Sequence, residues 1–139
     1  MYTLLYRSRA RTGLMAHGLN DIIAHAQANN GRLGLTGLLL YGEIPAVPGA
    51  PGEFVQWIEG PTEDAVESLF ETISHDDRHF DVEVLARGPG SEVLGAPDAG
   101  RLFPSWSMGL LRLSALPATL SGFLEFASTW EGDTLAQAA

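Results

Sequence analysis

The sequence LTGLLLYGEIPAVPGAPGEFVQWIEGP, residues 35 to 61, contains two apolar runs with a row of turn-forming residues between them. The runs, residues 35–41 and 53–59, are typical of buried strands, and the glycines and prolines of residues 42–52 are typical of a loop. We therefore predict an antiparallel hairpin with an unusually long loop. Because loop length costs little free energy, we expect the loop to project into solvent and to leave the strand pairing intact.

Amphipathic helices are predicted on both sides of this hairpin. Before it, apolar residues recur at helical spacing from Met15 to Ala26, and Asn29-Asn30-Gly31 is a suitable helix C-terminus. After it, Thr62 is a suitable N-cap, and the apolar residues at positions 66, 69, 70 and 73 share one helix face. Each helix then has an apolar stripe that can pack on the sheet.

Further strands are predicted outside the helices. Residues 2–6 are apolar and aromatic, and residues 80–85 alternate in polarity with Asp81 and Glu83 facing solvent. A loop at residues 88–100 leads to an extended segment at 106–113, and residues 117–130 have helical spacing. The order β-α-β-β-α-β, followed by a strand and a helix, predicts an α+β fold of the ferredoxin-like type: a mixed five-stranded sheet with two helices on one face. The amphipathic C-terminal segment is expected to cover the open sheet face or to mediate self-association.

Composition limits the classes of partner. The 139 residues include 8 basic and 17 acidic side chains, a net charge of −9, which disfavours nucleic acid and anionic membranes as partners. The absence of cysteine excludes disulfides, thiolate metal sites and cysteine nucleophiles, and it is compatible with the cytoplasm. Neither a signal peptide nor a membrane-spanning run is recognisable, so we expect a soluble, cytoplasmic protein.

Familiar catalytic signatures are missing. The sequence has no G-x-G-x-x-G, P-loop, H-E-x-x-H or G-x-S-x-G motif, which favours a protein that is not an enzyme. His75 and His79 are spaced like a helical metal pair, but the polar residues between them lie at a predicted helix end. We predict no metal site.

A polar residue inside an apolar strand is more informative. Gln56 shares a strand face with Phe54 and Ile58, and a buried amide without partners costs about 1–3 kcal/mol. Tyr6, at the end of the first strand, and Asn30, at the end of the first helix, are candidate partners.

Two interpretations of these groups are open. The tyrosine and the amides could satisfy one another and the nearby backbone in the core. Alternatively they could converge on a planar heteroaromatic ligand between the two helices, with Ile22, Ile23, Ile73 and Phe54 as walls.

Five motifs, in order along the chain, resemble those of the BLUF domain, a blue-light sensor module that uses a flavin. They are LLYRSRA at residues 4–10, NNGRLGLTGLLLY at 29–41, FVQWIEGP at 54–61, DDRH at 76–79 and FPSWSMG at 103–109. The resemblance covers about residues 1–113. It suggests a flavin-binding domain at 1–113 and a C-terminal helical cap and tail at 114–139.

The resemblance implies a noncovalently bound FAD or FMN between the two helices. Tyr6 matches the tyrosine that passes an electron and a proton to the excited flavin, and Gln56 matches the glutamine that links this tyrosine to the flavin. Asn30 matches the asparagine that binds the pyrimidine edge, with Asn29 beside it. Three further residues match positions near the flavin side chain, and the arginine among them suits an anion; they are Asp76, Arg78 and His79.

Trp106 and Met108 match the tryptophan and methionine that border the glutamine and relay its change to the last strand. Rotation or a change of tautomer of the Gln56 amide would reverse its hydrogen bonds and shift the flavin absorption to the red. A one-residue slip of the hairpin would turn Gln56 away from the ligand.

The leading hypothesis is thus a blue-light receptor that signals to a protein partner and forms a homo-oligomer. One alternative is a flavin-free, BLUF-like interaction module. Another is an acylphosphatase-like hydrolase using Arg7 and Asn30, which the lack of a glycine cradle after the first strand disfavours.

Overall fold

The computed structural model contains a mixed β-sheet with helices on both faces. It describes residues 1–11, 16–42, 52–111, 116–130 and 137–138. The elements in chain order are β1 Tyr2–Ala10, α1 Ala16–Leu33, β2 Thr36–Gly42, β3 Glu53–Gly60, α2 Glu63–Ser74, β4 His79–Pro89, α3 Gly90–Val93, β5 Trp106–Leu111, α4 Leu120–Ala127 and β6 Gln137–Ala138. Within these ranges, no helix is long and apolar enough to cross a membrane.

The sheet has the strand order β4-β1-β3-β2-β5-β6. β1 pairs antiparallel with β3 and β4, β2 pairs antiparallel with β3, and β5 runs parallel to β2. The predicted ferredoxin-like arrangement with an added strand is therefore confirmed. The two-residue strand β6, which pairs with β5, was not predicted.

The β2–β3 hairpin keeps its register despite the long loop. Leu39 is opposite Gln56, and Tyr41 is opposite Phe54. Gln56 therefore faces the same side of the sheet as Phe54 and Ile58, as the alternation predicts. The loop itself, expected to project into solvent, falls on residues 43–51, outside the described residues.

The two faces of the sheet carry separate cores. On one face, Leu4, Tyr6 and Ile58 pack with the apolar stripe of α2, which Thr62 caps by accepting a hydrogen bond from the Ala65 N–H. The other face, which includes the fully buried Trp57, packs with α4. The Trp57 and Phe123 rings stack with centroids 5.7 Å apart. The prediction that the C-terminal segment covers the open face is thus confirmed for α4.

The first helix continues past its predicted end. Asn29, Asn30 and Gly31 lie inside α1, which ends at Leu33 because Gly34 adopts a positive φ of 73°. The Leu35 N–H donates to the Asn30 carbonyl at 2.8 Å, the bond that closes a glycine C-cap of this type. The prediction ended the helix too early because it took Gly31 rather than Gly34 as the glycine that follows the last turn.

The fourth strand is longer than predicted. β4 spans His79–Pro89 because the nine-residue β1 offers partners along its whole length, from Tyr2 opposite Pro89 to Ala10 opposite His79. The predicted loop at 88–100 also contains the short helix α3, whose first N–H, from Gly90, donates to the Met1 carbonyl at 2.9 Å. The predicted extended segment at 106–113 is observed as β5 up to Leu111.

Candidate functional site

A cavity opens between α1 and α2 above the middle of the sheet. The space between its lining residues is about 740 Å³ when the open mouth is included. Nine of the ten residues predicted to bind a cofactor line it, namely Tyr6, Asn29, Asn30, Phe54, Gln56, Ile73, Asp76, Arg78 and His79. The tenth, Ile22, lies in α1, and its side chain, like that of the predicted wall residue Ile23, is outside the described part of the structure.

The Gln56 amide uses both of its ends. Its Nε2 donates to the Tyr6 hydroxyl at 2.7 Å, and its Oε1 accepts from the Trp106 indole Nε1 at 3.1 Å. The side chain is only 4% exposed. Because an indole N–H can donate but cannot accept, the amide oxygen has to face Trp106 and the amide nitrogen has to face Tyr6.

Tyr6 is held as a neutral phenol. Burial raises the pKa of its hydroxyl well above the ordinary value, and the nearby Asp76 carboxylate adds to this, while the Gln56 hydrogen bond acts in the opposite direction. Its ring packs against Phe70 with centroids 5.5 Å apart. Tyr6 therefore keeps its proton far into alkaline pH.

Trp106 and Met108 lie two residues apart on β5 and are both buried on the cavity side of the sheet. β5 is aligned by β2, where Gly37 is opposite Trp106 and Leu39 is opposite Met108. Only the indole is bonded to Gln56 in this structure.

The mouth of the cavity carries a close ion pair. The Arg78 Nε donates to the Asp76 carboxylate at 2.9 and 3.0 Å, and Nη2 makes a further short contact with it. The guanidinium holds the pKa of Asp76 below its ordinary value and has its own pKa raised in return. A guanidinium has five N–H donors, so Arg78 retains donors for an anion at the mouth.

His79 is fixed from both sides of its ring. Nε2 lies 2.6 Å from the Ile73 carbonyl, and Nδ1 lies 2.7 Å from the Ser8 hydroxyl. Since a carbonyl only accepts, Nε2 carries a proton and donates to Ile73, and the Ser8 hydroxyl is the partner of Nδ1. His79 thus shapes the cavity wall and offers it no free ring nitrogen.

Sequence reasoning missed several lining residues: His25, Ala26, Leu39, Leu69 and Thr72. Two features of the sequence could have indicated three of these residues. Residues 25 and 26 precede the two asparagines by one helical turn, and Leu39 is the hairpin partner of Gln56. Ser8 was missed because nothing in the sequence indicates that His79 lies beside it.

The donors and walls fit the ring system of a flavin. Gln56 and Asn30 are buried amides, each with donor and acceptor atoms, at the closed end of the cavity. Phe54, Leu39 and Ile73 supply apolar walls, and Arg78 supplies a cation at the open end. The described residues contain no group of three or more side chains suited to a metal ion.

A family model described as "Sensors of blue-light using FAD" matches residues 1–109. The chain belongs to the BLUF family. BLUF domains bind a flavin and act as light sensors, and the cavity contains the flavin-suited groups just described.

Relatives of this BLUF chain include much larger proteins. Photoactivated adenylate cyclase subunit beta from Euglena longa is 37% identical over 90 residues, which are 65% of this chain and 9% of that protein. The chain spans about a tenth of the length of the curated relatives it matches.

Two solved structures show the same fold. The dark-state structure of BlrB, a BLUF protein, is 34% identical, with a TM-score of 0.62 over 80% of this chain and 71% of that one. BlrP1 of Klebsiella pneumoniae, solved with FMN and cyclic diGMP, is 33% identical, with a TM-score of 0.60 over 91% of this chain and 29% of that one.

Proposed function

We propose that this chain is a blue-light photoreceptor in which Tyr6 and Gln56 form the light-driven switch. The observation that carries the proposal is the bonding of one buried amide to Tyr6 at one end and Trp106 at the other. The cavity beside this amide has the polar groups and the apolar walls for a noncovalently held flavin, FAD or FMN.

A bound flavin would supply absorption of blue light and an excited ring that accepts an electron. Asn30, with Asn29 beside it, would hold the polar edge of the ring, and Phe54 and Ile73 would exclude water from its faces. The Arg78 guanidinium, oriented by Asp76, would hold the anionic side chain at the mouth. His79, fixed by Ser8, would keep the wall between Tyr6 and Phe54 in shape.

Tyr6 would release the electron and its phenolic proton together. Burial disfavours a charged phenolate at this position, so loss of the electron and of the proton is coupled. The Gln56 Nε2 donates to the phenol oxygen at 2.7 Å, so it would stabilise that oxygen while the phenolic proton leaves toward the excited flavin.

Rotation of the Gln56 amide would break its bond to Trp106. After a half-turn the amide nitrogen would face the indole, which places two donors against each other. The Trp106 indole must then move away, and Met108, on the same face of β5, is the side chain available to take its place. The switch therefore biases the position of β5.

The output we propose is a changed contact with a partner protein rather than catalysis by residues 1–139. The adenylate cyclase activity named for the Euglena relatives belongs to those proteins. We also propose a cytoplasmic location, self-association, and residues 1–113 as the flavin-binding domain. These four statements rest on the sequence and on family resemblance.

The absorption spectrum in darkness and directly after blue light tests the proposal. We expect a flavin band that shifts to the red and relaxes in the dark. Tyr6→Phe and Gln56→Leu should keep the flavin and lose the shift. Tyr2→Phe is the matched control, because the Tyr2 hydroxyl donates to Glu67, outside the cavity, at 2.6 Å.

Two outcomes would contradict the proposal. A protein that stays colourless after refolding with flavin would indicate a flavin-free interaction module. A yellow protein whose band does not shift would show that Gln56 is not a switch.

A further inference from the structure

Glu59, a carboxylate in the core, is used by none of the steps above. It is fully buried, on the face of β3 opposite Gln56. A buried carboxylate destabilises a protein unless donors surround it. The identity of those donors therefore indicates what this residue does.

Four donors surround the Glu59 carboxylate. Oε1 accepts from the Leu102 N–H at 2.8 Å and from the Trp57 indole at 2.9 Å. Oε2 accepts from the Phe103 N–H at 2.9 Å and from the Thr36 hydroxyl at 2.8 Å. Two of the four are consecutive backbone N–H groups of the segment that leads into β5.

This segment is attached to the sheet at three points before it reaches Trp106. The Arg101 Nη1 donates to the Thr36 hydroxyl at 2.9 Å. Glu59 holds residues 102 and 103, and the Gly37 N–H donates to the Ser105 carbonyl at 3.2 Å. Gly37 also lies close to β3, because a Cβ there would be 1.9 Å from the Trp57 carbonyl oxygen. The start of β5 is thereby tied to β3, the strand that carries Gln56.

We propose that Glu59 is a positioning residue for the switch, which it serves by holding the entry to β5 so that the Trp106 indole meets the Gln56 amide. This inference rests on the proposed function for its role in signalling. The claim that Glu59 positions the Trp106 indole does not depend on that function and can be tested in the dark. Glu59 contacts neither the cavity nor Gln56, so its effect on Trp106 has to pass through the residues it binds, and the direct route along the chain is the segment 102–106.

Three indole N–H groups make the test specific. Trp57 donates to Glu59, Trp106 donates to Gln56, and the buried Trp130 Nε1 has no partner among the described residues. Each gives its own proton resonance in the flavin-loaded protein. We would compare them, together with the exchange rates of the Leu102 and Phe103 amide protons, in the wild type and in Glu59→Gln.

Glu59→Gln keeps the shape of the side chain but leaves one oxygen to accept in place of two. We expect the exchange of at least one of the two backbone amides to accelerate by about 10- to 100-fold. The Trp57 and Trp106 indole resonances should move, and the Trp130 resonance, whose ring lies beside Gly109 farther along β5, should move less. Thr36→Val is the matched control: it removes one donor to the same carboxylate and the acceptor of the Arg101 side chain, leaves both backbone bonds from the segment to Glu59, and should leave Trp106 unmoved.

Other results would overturn the proposal. An unmoved Trp106 resonance in Glu59→Gln would make Glu59 a structural residue only, as would an equal movement in Thr36→Val. If Glu59→Gln does not fold, Leu102→Pro removes one donor from the loop side, at a residue that is 37% exposed, and the same shift of Trp106 is required. Absence of a light-induced red shift in the wild type would refute the photoreceptor function and leave this dark-state test intact.

Discussion

Gln56 shows why the chemistry of a side chain, and not only its burial, identifies the site. A leucine would fill a similar volume at the centre of β3 without the cost of burying an amide. The glutamine instead has its nitrogen bonded to Tyr6 and its oxygen bonded to Trp106. Alternation along β3 predicted which face it occupies, and resemblance placed Trp106 near it. The direction of the indole bond needed the structure, because it depends on where β5 lies.

Asp76 is the residue whose charge state should make stability depend on acid. Its pKa is lowered chiefly by the Arg78 hydrogen bonds, so the ionised carboxylate stabilises the fold above its ordinary pKa of 3.8. This stabilisation should be lost as the pH falls through the lowered pKa. We expect Asp76→Asn to lower the free energy of unfolding by under about 1 kcal/mol at pH 7, and the difference from the wild type to shrink as the pH falls through the lowered pKa.

Urea unfolding at several pH values measures this effect. Asp98→Asn, at an exposed position in the loop before β5, serves as the control and should follow the wild type at every pH. If the gap between wild type and Asp76→Asn stays constant from pH 7 to pH 2, the ion pair is not its source.

At the scale of elements, β5 touches both cores of the protein. Trp106 and Met108 face the cavity, and on the opposite side of the strand the Trp130 ring lies directly over Gly109. A Cβ at Gly109 would be 2.6 Å from the Trp130 ring. The glycine therefore leaves room for the aromatic ring. A movement of β5 would also displace Trp130, in the segment that follows α4.

Gly109→Ala should consequently destabilise the fold by about 1–3 kcal/mol, because the added methyl group overpacks the contact with Trp130. The double variant with Trp130→Ala should lose part of that penalty, which a double-mutant cycle of unfolding free energies measures. Gly100→Ala is the matched control, since nothing lies within 4 Å of a Cβ at that position. Additive effects of Gly109→Ala and Trp130→Ala would show that the two residues do not interact in solution.

At the scale of the molecule, the sequence predicted those features that repeat along the chain. Periodicity of apolar residues along short stretches of sequence predicts the order of elements, the hairpin register and the apolar stripe of α2. The length of β4 and the helix α3 were missed because β1 determines them from a distance, through pairs such as Tyr2 with Pro89. The Glu59 bonds and the Ser8–His79 contact join residues far apart in sequence, so no local pattern announces them.

The whole molecule also depends on α4 to cover the second face of the sheet. Phe123 is fully buried and stacks on Trp57, and Phe103 meets its edge at 6.4 Å. Removal of the residues after Ser114 would expose this apolar face, and exposed faces of that kind associate or unfold. We expect the shortened chain to melt at a lower temperature and to elute as aggregates.

A single substitution distinguishes the packing of Phe123 from the effect of shortening the chain. Phe123→Ala in the full chain should cost about 3–5 kcal/mol through the lost burial and the cavity left behind. A chain that ends after Trp130 keeps α4 and the rings that cover Trp57, so its melting temperature should stay close to that of the full chain. If the chain cut after Ser114 melts and elutes like the full chain, α4 is not needed to cover the sheet. A change in the position of β5 would then have to reach a partner protein through another surface of the molecule.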